Sequence, residues 1–119
     1  MTSILVIEDD SAVAALLRAV LKRAGHEVIP AGSGEEGLEH IDARSPDAVI
    51  LDIRLPGIDG FAVLERIRAR GPRPPVVMLT ADRDTRERAL AGGADAHLGK
   101  PFNNVELVAL IGRLTTHHL

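Results

Sequence analysis

ILVIEDD, residues 4–10, is an apolar run that stops abruptly at three acids. Four consecutive aliphatic residues are far too few for a membrane span or the apolar region of a secretory leader. They suit a strand buried on both faces. Directly after the acids, Val13, Leu16, Leu17, Val20 and Ala24 recur at helical spacing, and Gly25 stands where a C-cap glycine belongs. A doubly buried strand feeding an amphipathic helix is one unit of an α/β fold.

The same alternation runs through the rest of the chain. Val28-Ile29 is a weak strand, and Ser33 opens a helix with Glu36 three residues on, a capping box. Val49-Ile50-Leu51 is a second buried-type strand. Phe61, Leu64 and Ile67 mark a helix capped by Asp59, with Arg66, Arg68 and Arg70 as a solvated helix face. Val76-Val77-Met78-Leu79 is a strand entered through Pro74-Pro75. A polar helix follows over roughly 84–91, with Asp84 and Glu87 as its cap pair. Ala96 to Leu98 is a short strand, and Asn103 with Glu106 caps a last helix whose stripe is Leu107, Leu110, Ile111 and Leu114. Five strand–helix units with continuous apolar strands predict a parallel sheet covered on both faces. With 119 residues, one domain spanning 1–119 is expected. About 115–119 is expected to be a linker stump or frayed tail.

Composition narrows the function. The net charge is −3, so no basic surplus points to direct nucleic-acid contact or an anionic membrane surface. There is no cysteine, hence no thiol chemistry and no thiolate metal site. The chain has no Trp or Tyr and two Phe, which argues against an aromatic cofactor cage or a base-stacking platform. A soluble, cytoplasmic protein is expected.

AGSGEEG, residues 31–37, matches the G-x-G-x-x-G dinucleotide fingerprint. That fingerprint belongs at the first strand-to-helix turn, whereas this stretch follows the second strand. Glu35 and Glu36 at the helix start would also repel a pyrophosphate. Ser33 and Glu36 account for it as a capping box, and Gly32, Gly34 and Gly37 read as turn residues.

In an open α/β sheet, ligands bind beyond the carboxyl ends of the strands. Here the first strand ends at Glu8-Asp9-Asp10, the third at Asp52, the fourth at Thr80 and the fifth at Lys100-Pro101. If the first and third strands are neighbours, Glu8, Asp9 and Asp52 converge. Two carboxylates about 5 Å apart repel by roughly 3 kcal/mol at an effective dielectric near 20, so the cluster calls for a compensating hard cation such as Mg²⁺. Lys100, one of the chain's two lysines with Lys22, and the Thr80 hydroxyl suit a phosphoryl group on the same rim. Together these residues make a phosphoryl acceptor in which Asp52 attacks phosphorus.

These residues resemble the receiver domain of two-component response regulators, the CheY-like family. ILVIEDD, VILDIRLPGIDG, VVMLTA and GADAHLGKPF stand in order at family-like spacing, and the likeness covers the whole chain. The resemblance implies a flavodoxin-like, doubly wound five-stranded parallel sheet, strand order 2-1-3-4-5, with five helices, the order that CheY itself has. It implies that Asp52 is the phosphoacceptor, taking phosphate from a phosphohistidine on a sensor histidine kinase or phosphotransfer protein. Asp9 is then a direct ligand of Mg²⁺ (or Mn²⁺), Glu8 a direct or water-mediated one, Asp52 a third, and the backbone carbonyl of Arg54 a fourth. Lys100 pairs with Asp52 and the phosphoryl oxygens, Thr80 bonds the phosphoryl group, and the Lys100–Pro101 peptide is cis. Phosphorylation switches the face formed by the fourth helix, fifth strand and fifth helix, for an effector protein or domain or for a homodimer.

Three features depart from the family pattern. The switch position, usually aromatic, is His97, which could titrate near neutral pH. The segment from Thr80 to His97 is about two residues short. Leu110 replaces an arginine often present in DNA-binding members. The last two weaken assignment to a DNA-binding regulator, and the first two favour the alternative of a phosphorylation-independent interaction module. An aspartate-nucleophile phosphatase would need an acid two residues after Asp52, where Arg54 stands. A signalling switch rather than a metabolic enzyme is therefore expected.

Overall fold

The structure, a computed structural model, describes residues 2–80 and 85–116. The apolar runs are strands: β1 (Ser3–Ile7), β3 (Ala48–Asp52) and β4 (Val76–Thr80) are buried at every position. β2 (Glu27–Ala31) and β5 (Ala96–Gly99), which are partly exposed, form the edges. Between them lie α1 (Ser11–Arg23), α2 (Gly34–Ala43), α3 (Gly60–Ala69), α4 (Arg86–Ala91) and α5 (Asn104–Thr115). The strands form one parallel sheet in the order 2-1-3-4-5.

Alternate strand residues point to opposite faces, which divides the core in two. Leu5, Ile7, Leu51 and Met78 pack with α2 and α3 through Leu38, Ile41, Leu64 and Ile67. Ile4, Val6, Ile50 and Leu79 pack with α1 and α5 through Leu17, Leu21, Leu107 and Ile111. Because both faces are covered, the strands read as unbroken apolar runs rather than alternating ones.

Helix starts follow local side-chain chemistry. Asp10 accepts from the backbone of Ala12 and Val13, Asp59 from Ala62, and Asn103 from Val105 and Glu106. Ser33 accepts from Glu36 N, while the Glu36 carboxylate reaches back to Gly32 N. α4 is short and begins at Arg86; its expected cap Asp84 lies outside the described residues, and Thr85 makes no side-chain cap bond.

The structure corrects several expectations. Gly34 and Gly37 are not turn residues. They sit inside α2, and an added Cβ would lie 2.4 Å from Val63 Cγ2 or 2.3 Å from Ile7 Cδ1. Their value is close packing, not backbone freedom. Arg68 is not a solvated cation: its Nε donates to Gly93 O, Nη1 to Pro74 O and Nη2 to Asp95. The Asp95 carboxylate also accepts from Val76 N, so one arginine ties α3 to the entrances of β4 and β5. Thr115, the first residue of the expected tail, is buried, ends α5 and donates to Ile111 O; His117, His118 and Leu119 lie outside the described residues. The Lys100–Pro101 peptide is cis, as is Arg73–Pro74, which carried no sequence signal. No described helix is long and apolar enough to cross a membrane.

Candidate functional site

The strand order brings the acids together. β1 and β3 are neighbours, so Glu8 and Asp9, just past β1, face Asp52 at the end of β3. Carboxylate oxygens of Glu8, Asp9 and Asp52 lie within 4.8 Å of one another. Glu8 and Asp52 are buried and Asp9 is exposed, so the cluster has a closed floor and an open mouth.

Lys100 reaches this floor from the far side of β4. Its backbone N–H donates to Thr80 O. Its Nζ then lies 3.0 Å from Glu8 Oε1 and 3.2 Å from Asp52 Oδ2. Further hydrogen bonds hold the two buried acids in place: Asp10 N donates to Glu8 Oε2 and Arg54 N to Asp52 Oδ1. Thr80 ends β4, one strand over from Asp52, with its buried hydroxyl accepting from Thr85 Oγ1 at 3.0 Å.

Burial and neighbouring charge both act on Glu8 and Lys100. Burial, reinforced by Asp52 beside it, pushes the Glu8 carboxyl from 4.5 up to about 7, against the pull of Lys100. Burial acts to lower the Lys100 ammonium, but its bond to Glu8 and the charges of Asp52 and Glu8 outweigh this and raise it. With all three acids ionised and Lys100 charged, the group carries two net negative charges, three against one. Oxygen donors alone, converging at an open mouth with this charge, fit a hard divalent cation.

Beside the mouth, Asp9, Arg54, Asp59, Phe61, Thr85 and Arg88 line a cleft of about 540 Å³. Arg88 is stacked over the Phe61 ring, 3.9 Å from its centroid. The pair joins α4 to α3 across the cleft; twenty-seven positions apart in sequence, it left no periodic signal. His97 stands apart from the acids, on β5 opposite Met78.

Gly60 is a second site-forming residue that pattern reading passes over. A Cβ there would lie 2.4 Å from Asp52 O and 2.6 Å from Ile53 Cα, backbone that cannot swing away. Its own N–H donates to Ile53 O at 2.8 Å, which folds the loop after Asp52 back onto the strand. Gly60→Ala is expected to destabilise the protein by about 1–3 kcal/mol, the usual cost of overpacking. An unchanged urea midpoint for that variant would contradict this packing.

A family model for the response regulator receiver domain matches residues 4–112. The transcriptional regulatory protein AfsQ1 of Streptomyces coelicolor is 44% identical over 113 residues, covering 93% of this chain and 50% of that protein. TcrA of Mycobacterium tuberculosis is 44% identical over 114 residues, 94% of this chain and 45% of its own length. The chain thus spans about half the length of these relatives. The receiver domain of NtrX from Brucella abortus superimposes with a TM-score of 0.89 at 34% identity, covering 94% of this chain and 97% of that one. Sheet order, the acids gathered at the strand ends and these likenesses agree, and the chain belongs to the response regulator receiver domains of two-component signalling.

Proposed function

We propose that this domain accepts a phosphoryl group on Asp52 from a phosphohistidine of a sensor histidine kinase or phosphotransfer protein. The observation that carries the reading is Lys100 bonded to both Glu8 and Asp52 on the floor of a three-carboxylate cluster. In the transfer, an Asp52 oxygen forms a bond to phosphorus while the bond from phosphorus to the donor nitrogen breaks. The electron pair stays on the leaving imidazole. Lys100, already beside Asp52, is placed to bond the incoming phosphoryl oxygens, and the Thr80 hydroxyl to donate to one of them. Glu8, Asp9, Asp52 and the Arg54 carbonyl would hold Mg²⁺ or Mn²⁺, which when bound neutralises the charge of acids and phosphate.

A phosphoryl group that bonds Thr80 better in one arrangement favours that arrangement. The face made by α4, β5 and α5 is then the output, presented to an effector protein or domain, or to a second copy. The domain acts as a switch in the cytoplasm, without itself contacting nucleic acid or membrane. AfsQ1 and TcrA are named transcriptional regulatory proteins, so an output domain of that kind is one candidate for the effector.

The test is intact mass after incubation with acetyl phosphate, with and without Mg²⁺, alongside Asp52→Asn. One added phosphoryl group that requires both Mg²⁺ and Asp52 is expected. No adduct, together with no binding of beryllofluoride, would leave a phosphorylation-independent interaction module as the function.

A further inference from the structure

Among the described residues, one buried side-chain nitrogen or oxygen lacks a hydrogen-bond partner: Nε2 of His97. Buried polar groups are nearly always satisfied, so an orphan of this kind asks for a physical reason.

The surroundings of the ring supply one. Ala96 and Leu98, its neighbours on β5, belong to the core layer of α1 and α5, so His97 projects to the α4 side, in register with Met78. α4 contributes Arg86 and Leu90 to the cavity of about 770 Å³ that the ring lines, and α5 contributes Glu106, Leu110 and Arg113. The remaining acid there, Asp95 of the turn before β5, is committed to Arg68 and to Val76 N. Burial, with the Arg86 charge added, holds the imidazole below its ordinary value. A neutral ring tolerates this place. In this packing an imidazolium would put a second N–H where no acceptor is bonded to the ring, the Glu106 carboxylate of the cavity included, and a positive charge beside Arg86.

We propose that His97 makes the seating of α4 on β5 proton-sensitive: the neutral ring permits the packing described, and protonation releases α4. Linkage then requires the reverse, so any event that lifts α4 from β5 takes up a proton at His97. The device needs no phosphoryl group. Its bearing on signalling rests on the proposed output face, of which α4 and β5 form two parts.

The experiment is an NMR titration of the wild-type His97 ring, with hydrogen exchange of the Ala89 and Leu90 amides at pH 5.5 and 7.5, corrected for intrinsic exchange. His97→Phe is measured in parallel. The ring is expected to titrate below about 6.5, the ordinary histidine value. Protection of the two amides is expected to fall at pH 5.5 by up to about tenfold, the ceiling set by measuring about one pH unit below the ordinary histidine value, and to stay level in His97→Phe. A ring that titrates at or above its ordinary value overturns the proposal, and this result needs no variant. So does a loss of protection at pH 5.5 that survives in His97→Phe, which would assign the effect to a group other than His97; Glu8, whose carboxyl titrates at about 7 when folded, acts in the opposite sense. Neither outcome touches the mass test for Asp52, so the two readings fail separately.

Discussion

Lys100→Met is expected to cost the metal-free protein about 3 kcal/mol at pH 8, the loss typical of breaking a buried pair, and clearly less at pH 5. At pH 8, above its value of about 7, Glu8 is ionised, and Lys100 Nζ lies 3.0 Å from it and 3.2 Å from Asp52. Removing it leaves two buried carboxylates facing each other, and one must take up a proton to relieve them. At pH 5 the folded protein already holds that proton on Glu8, whose carboxyl titrates at about 7, so only Asp52 loses its partner. Urea denaturation followed by far-UV circular dichroism measures both losses in a chain without Trp or Tyr. Equal losses at the two pH values would sink the charge account of Lys100.

The second expected result concerns Glu8. The metal-free protein loses stability as pH rises from about 4.5 to about 7, by on the order of 3 kcal/mol through this residue. The sign follows from proton counts. Glu8 titrates at about 7 when folded against 4.5 ordinarily, so between those values the folded chain keeps a proton that the unfolded chain has released. Stability then falls as pH rises, and is level in this respect below and above the window. His97 acts in the opposite sense: its folded value is lowered, so the unfolded chain binds the extra proton and stability rises with pH toward about 6.5. Comparing wild type with Glu8→Gln cancels the histidine contribution. Glu8→Gln should flatten the fall and be the more stable protein at pH 8, and Asp52→Asn should be at least as stable as wild type there. Added Mg²⁺ should stabilise wild type more at pH 8 than at pH 5, because a cation selects ionised carboxylates, and should do less for Asp52→Asn. A Glu8→Gln protein less stable than wild type at pH 8 would show that Glu8 is held by attraction to Lys100 and not strained by crowding.

Much of this architecture was legible residue by residue. Ile4 to Ile7 and Val76 to Leu79 announce doubly covered strands because each apolar side chain must be buried on one face or the other. Asp59 and Asn103 announce helix starts because a cap acts on backbone two or three residues away. The residues of the site were visible in the same way, as polar groups interrupting apolar runs. Other features were misread or invisible. Gly34 and Gly37 look like turn glycines until Val63 and Ile7 are seen against them. Arg68 looks solvated until Gly93, Pro74 and Asp95 close around it. Nothing in the chain near His97 indicates that its Nε2 is left without a partner.

What the sequence by itself determined is therefore local: five strand–helix units, the start of most helices, and which residue stands at the end of each strand. Spacing along the chain is silent on which strands are neighbours, and for that the resemblance to a known family was needed. The tertiary structure decided the rest by setting β1 beside β3 and bringing Lys100 across β4. Periodicity and capping report interactions over a few residues, whereas Glu8 and Lys100, 92 positions apart, meet only through the sheet. The proton that Glu8 keeps up to about pH 7 is likewise a tertiary property, since it arises from burial and from Asp52 beside it, against the pull of Lys100.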